Sequence, residues 1–208
     1  MKKHHALLAL LTFSAIALVG CSSTPPVAVQ AAVDTTPPVR LDVLTVTVMD
    51  RTGPQPVRSP YNTNNFQPTI ANAIRRWASE KLVAVGTSGE AVVTIRDATL
   101  DAQPIKHGDD MFTREQTSQY VAHAAVTIDV RGHAGQGQSA TQLSGSVNAE
   151  ASRHETLPED PTAIERQNAY YKIYNGLMQD LTNNLKSAIN GHLRDFIITA
   201  PVLPGTSP

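Results

Sequence analysis

Apolar and polar positions repeat along this chain with two distinct periods. Between Arg40 and Asp50, Leu44, Val46 and Val48 alternate with Thr45 and Thr47, which predicts a β-strand. Ile70, Ala73, Ile74, Trp77 and Ala78 then recur at helical spacing, and Leu82 and Val85 extend the stripe to a stop at Gly86. Glu90 to Leu100 carries apolar residues on both faces, as an interior strand does. The next strand alternates cleanly: Tyr120, Ala122, Ala124, Val126, Ile128 and Val130 share one face. His123, Thr127, Asp129 and Arg131 share the other with Val121 and Ala125. After the turn-forming run GHAGQGQSA, a fourth strand points Leu143, Val147, Ala149 and Ala151 inward and Gln142, Ser144, Ser146, Asn148 and Glu150 outward. A long helix follows, opened by the capping box Thr162 to Glu165 and striped by Tyr170, Tyr174, Leu177, Met178, Leu181, Leu185 and Ile189. Arg51–Pro68 and Ala102–Ser118 read as long polar loops. The predicted class is α+β: a four-stranded, mostly antiparallel sheet with two helices on one face, in the order β-α-β-β-β-α. Two apolar helix stripes match one apolar sheet face, so the other face stays polar.

The first twenty residues behave differently. Lys2, Lys3, His4 and His5 precede an apolar run from Ala6 to Val19, the layout of an export signal and short for a membrane span. It ends in Leu18-Val19-Gly20-Cys21, which resembles the lipobox of bacterial lipoproteins. Cys21 is the only cysteine of the chain and stands where a lipobox needs one. The resemblance implies cleavage before Cys21 and acylation of its sulfur and new amine; an ordinary signal peptide with a chance cysteine is the alternative. Ser22 in place of an aspartate implies, by the same family rule, sorting to the outer membrane. Between Ser22 and Val39 there are four prolines and a single charge, Asp34, which reads as a flexible tether. The expected organisation is a signal peptide at 1–20, a lipidated tether at 21–39, one domain at 40–198 and a loose tail at 199–208.

Charge and composition narrow the chemistry. Without Lys2 and Lys3 the chain holds 15 basic against 18 acidic residues, which excludes a general electrostatic grip on nucleic acid. One cysteine excludes internal disulfides and cysteine-rich metal sites. No phosphate-binding glycine loop, nucleophile elbow or His-Glu-x-x-His spacing occurs. His107 with Asp109 and Asp110 reads as a solvated acidic loop, and Arg153-His154-Glu155 lacks a nucleophile beside it. Neither a catalytic site, a metal nor a cofactor is expected. Trp77 reads as core in preference to a ligand platform.

The stretches RRWASEKLVAVGTSGEAVVTIRDA, EASRHETLPED and LMQDLTNNLKSAI are similar to a group of uncharacterised bacterial outer-membrane lipoproteins. The order of elements on a lipidated tether also resembles the lipopolysaccharide-assembly lipoproteins and the YajG-type lipoproteins. These resemblances imply a periplasm-facing protein of the cell envelope, held to the membrane by lipid at Cys21. Three functions compete on this reading. The first is a non-catalytic structural or assembly component that docks an envelope protein. The second is a lipid-binding auxiliary subunit of an ABC-type envelope transport system. The third is an enzyme using His123 or His154. The candidate partner surface is the polar sheet face, with His123, Ala125, Thr127, Asp129, Arg131, Ser144, Ser146 and Asn148.

Overall fold

The computed structural model describes residues 31–32, 34–53, 66–105, 116–134 and 141–199. Cys21, the His107–Asp110 cluster, most of the loop after Asp50 and the tail beyond Thr199 lie outside the described residues. The elements in chain order are β1 (Val39–Leu41), β2 (Thr45–Asp50), α1 (Ile70–Lys81), β3 (Leu82–Ala84), β4 (Glu90–Pro104), β5 (Gln116–Ala134), β6 (Thr141–Pro158) and α2 (Ala163–His192), closed by a 3₁₀ turn at Arg194–Phe196. β2, β4, β5 and β6 form a four-stranded sheet in that order, and β1 pairs with β3 in a second, two-stranded one. The α+β class and the central four-stranded sheet stand as expected. β2 runs parallel to β4, with α1 in the crossover, and the two remaining pairings are antiparallel.

The loop expected at Ala102–Ser118 is shorter than that, since β4 reaches Pro104 and β5 starts at Gln116. Two further boundaries move for physical reasons. The strand expected from Arg40 to Asp50 breaks at Asp42–Leu44, because Leu41 and Val43 both turn into the core, at 1% and 0% exposure. Leu44 is thereby expelled to 59% exposure, while Val46 and Val48 keep the inward phase. The first helix ends at Lys81 instead of running to Gly86. Leu82 to Ala84 pair in parallel with Val39 to Leu41, a use of β-rich residues that the helical stripe conceals. Gly86 is not a helix stop but a close approach. A Cβ there would lie 2.4 Å from the Asp42 carboxylate and 2.6 Å from the Val43 amide nitrogen. Gly89 sits at φ +84°, in the left-handed region that glycine adopts without strain.

The mixed pattern of β4 has two causes, an outward Val92 and a change of register. A β-bulge at Arg96 shifts the register, so Ala91, Val93 and Ile95 face inward before it and Ala98 after it. Both helices lay their stripes on the same sheet face. Ile74, Trp77 and Ala78 of α1, with Tyr174, Leu177, Leu181, Leu185 and Ile189 of α2, join the inner faces of β4, β5 and β6 in one core cluster. Thr69 caps α1 by accepting from the Asn72 N–H at 3.2 Å. The predicted capping box opens α2, with the Thr162 hydroxyl accepting from the Glu165 N–H and the Glu165 carboxylate accepting from the Thr162 N–H. Phe66 stacks on Tyr170 at 4.5 Å, and the Tyr170 hydroxyl donates to the Pro68 carbonyl. That clamp ties the start of α1 to the start of α2, and burial pushes the Tyr170 phenol up, helped by Tyr174 and Tyr171.

Candidate functional site

The sheet face opposite the helices carries all eight residues of the candidate partner surface. β5 supplies His123, Ala125, Thr127, Asp129 and Arg131 at every second position, and β6 supplies Ser144, Ser146 and Asn148. Register sets their pairing: Arg131 lies across from Ser144, Asp129 from Ser146, Thr127 from Asn148, Ala125 from Glu150 and His123 from Ser152. Two of these pairs are joined by side-chain hydrogen bonds. The Ser146 hydroxyl donates to Asp129 at 2.7 Å, and the Thr127 hydroxyl donates to Asn148 Oδ1 at 2.6 Å. Arg96 reaches across β5 to Glu150 at 2.8 Å. The register places Ala125 between Asp97 and Glu150, so the bridge passes above a methyl group. Arg131 approaches Glu90 at 3.9 Å on the other side. These exposed pairs each contribute little to stability, but they fix the texture of the face as a low, charge-balanced lattice.

Sequence reasoning did not assign three contributors to this face: Met49 of β2, Val92 and Thr94 of β4. With Arg51, Arg96 and Arg131 they surround a shallow depression of about 360 Å³. Met49 is exposed. Its signal was weak, because two-residue alternation in a six-residue edge strand separates the faces only once the break at Asp42–Leu44 is known. His154 lies outward on β6 across from Val121, one pair along from His123. Among the described residues no group of three or more histidine, cysteine, aspartate or glutamate side chains is placed to hold a metal ion.

A second concavity lies on the opposite side of the molecule. Between α1 and α2 runs a groove of about 630 Å³, walled by Trp77, Lys81, Tyr174, Met178 and Lys186. Trp77 is core, as expected, yet its edge reaches this groove, and its indole N–H has no hydrogen-bond partner among the described residues. Arg76 donates to the Tyr174 hydroxyl at 3.3 Å. The end of the segment expected to be a tether lies here. Ala31 packs on the core, the Ala32 N–H donates to Asn175 Oδ1 at 2.8 Å, and Lys81 Nζ donates to the carbonyls of Asp34 at 2.8 Å and Thr36 at 2.6 Å. Burial alone would raise the Asp34 pKa. The two hydrogen bonds from Thr36 and the charges of Lys81 and Lys186 outweigh it and hold the carboxyl below its ordinary value.

A two-layer α+β domain with one helical face and one open sheet face is thus the class of protein in hand. No family model matches the chain, and no curated protein matches it. Solved structures similar to it include the minor lipoprotein from Acinetobacter baumannii, at 8% identity over 77% of this chain and 99% of that one, with a TM-score of 0.37. Rare lipoprotein B from Shewanella oneidensis shares 10% identity over 71% and 97%, with a TM-score of 0.33. Uncharacterized lipoprotein B from Nitrosomonas europaea shares 12% over 77% and 92%, with a TM-score of 0.37. All three neighbours are bacterial lipoproteins. TM-scores this low transfer neither a fold nor a role to this chain.

Proposed function

We propose that this chain is a non-catalytic lipoprotein of the bacterial envelope, anchored at Cys21 to the periplasmic side of the outer membrane, and that its open sheet face docks an envelope protein. The observation that carries the reading is the sequence Leu18-Val19-Gly20-Cys21, with the chain's only cysteine at the modified position. Among the described residues no helix is long and apolar enough to cross a membrane. On this reading the acyl chains on Cys21, each contributing about 0.8 kcal/mol per buried methylene, are the means of attachment. The open face suits docking because it is broad and balanced in charge, with Met49 and Val92 as a small apolar patch toward its β2 edge. Cys21→Ser is expected to leave the domain folded and to remove it from the membrane fraction. Salt-resistant membrane association of that variant would refute the anchor. In-cell crosslinking from the open face that recovers no envelope protein would refute the docking role.

The groove between α1 and α2 favours a second reading, a lipid-binding auxiliary subunit of an ABC-type envelope transporter. A ligand would then lie between the two helices, against Trp77 and Met178, and not between helices and sheet. Native mass spectrometry of protein purified from membranes is expected to show a bound lipid on this reading, and a bare mass removes it.

A further inference from the structure

We infer that the anchored protein stands with its α1–α2 layer toward the membrane and its open sheet face turned away, so that the open face meets protein in the periplasmic space and not lipid head groups. This rests on the proposed anchoring at Cys21 and names the kind of partner the open face can reach.

The inference starts from where the chain leaves the domain. Lys81 is the one charged side chain buried among the described residues, and its ammonium is spent on backbone carbonyls of residues 34 and 36. The Asp34 carboxylate lies 3.8 Å from the same nitrogen and accepts from the Thr36 N–H at 2.8 Å. A buried ammonium without these acceptors would be costly, so the segment and the lysine hold each other in place. Asn175 adds the bond to the Ala32 amide. The path to the anchor therefore starts at Ala31, on the helical layer.

Nine residues lie between Cys21 and Ala31, and the ten Cα–Cα steps, fully extended, reach at most about 36 Å. To lay the open face on the bilayer, the chain would have to pass around the edge of the domain. Half the width of a four-stranded sheet is about 10 Å, and the two layers with their side chains add about 20 Å. That detour takes about 30 Å of the available 36 Å and leaves a nearly taut chain, which conformational entropy opposes. With the helical layer below, no such detour is needed. Releasing the strap back to Pro38 gives seventeen Cα–Cα steps and a reach of about 61 Å, and the preference disappears.

The test uses the full lipidated protein in phospholipid vesicles containing an acceptor-labelled lipid. A fluorescent donor is placed either at Asn183→Cys, exposed on the groove side of α2, or at Ser144→Cys, exposed on the open face. Energy transfer to the bilayer is expected to be about twofold higher from position 183 than from 144, a difference set by two layers of structure. In Lys81→Met the two positions are expected to become equal. Ala32→Pro combined with Asp34→Ala, which alters only the strap, is the second variant; it removes the Asn175 bond and the carboxylate, leaves the carbonyls of residues 34 and 36 on Lys81, and is expected to narrow the difference even where Lys81→Met does not fold. Equal or reversed transfer in the wild type overturns the orientation, and so does an undiminished difference in the strap variant. Intact-mass measurement of the same preparation separates the two claims. Lipidated protein with equal transfer refutes the orientation alone, whereas protein without lipid refutes the anchor and the orientation with it.

Discussion

Leu181→Ala probes the assignment of the helical layer most directly. Leu181 sits midway along α2, 1% exposed, in the single core cluster. Truncation removes three carbons, about 2.4 kcal/mol at 0.8 kcal/mol per methylene, and the cavity left between two rigid layers adds to that. The expected loss is about 3–4 kcal/mol, against a total stability of order 5–15 kcal/mol. Trp77 is the only tryptophan and is buried in the same core, so its fluorescence reports unfolding without a label. In urea, with a slope near 2 kcal/mol/M, the midpoint is expected to fall by about 1.5–2 M at unchanged slope. Ile164→Ala is the control: it removes an equally apolar side chain from the same helix, but one 49% exposed, and is expected to cost under about 1 kcal/mol. A midpoint shift in Leu181→Ala of less than about 0.3 M would mean that α2 presents a different stripe to the sheet.

Gly86→Ala is expected to destabilise by about 1–3 kcal/mol, because the new methyl meets the backbone at Asp42–Val43; a neutral result in urea would show that the crossing of the two segments is looser than described. Lysine at Ala125 or Ser146 is expected to leave the urea midpoint nearly unchanged while abolishing crosslinking to the envelope partner, and unaltered crosslinking would remove the open face as the docking surface. Acidification probes the ion pair at the end of β6. Hydrogen bonds from Arg153, at 2.5 and 2.8 Å, hold the Asp180 pKa below its ordinary value despite some burial. The stabilisation is therefore complete above the unfolded carboxylate pKa near 4 and is lost as pH falls through the lower folded value. Asp180→Asn is expected to flatten the pH dependence of the urea midpoint in that window, and an unchanged profile would show the pair to be inert.

Long, regular alternation was legible in the sequence: the two faces of β5 and β6, the stripe of α2 and the Thr162 capping box all follow from local spacing. The open face followed with them, since eight outward positions on two paired strands need only correct phase. What stayed hidden depended on distant partners. The break at Asp42–Leu44 exists because Val39–Leu41 pairs with Leu82–Ala84, more than forty residues away, and no local period encodes that. The bulge at Arg96, with an outward Val92, made one strand look apolar on both sides. The seat of residues 31–32 and 34–36 was invisible for a similar reason, because proline-rich composition gives no hint that a lysine from α1 will close on the carbonyls of Asp34 and Thr36.

The bulge also sets where this chain tolerates a change of length. Residues 90–95 of β4 pair with β5 in one frame and residues 97–104 in a frame offset by one, and Arg96 is the residue that absorbs the offset. Excising Arg96 would merge the two frames into one uninterrupted ladder, with Ala98 still inward and Asp97 still opposite Ala125. Excising Asp97 would do the same with Arg96 in its place, whereas excising a residue from Ala91–Ile95 or Ala98–Leu100 would invert the inward and outward sides of part of the strand unless the bulge migrated to compensate. Homologous chains one residue shorter are therefore expected to carry their gap at this point, and a gap at position 96 would leave both the core and the open face as they are.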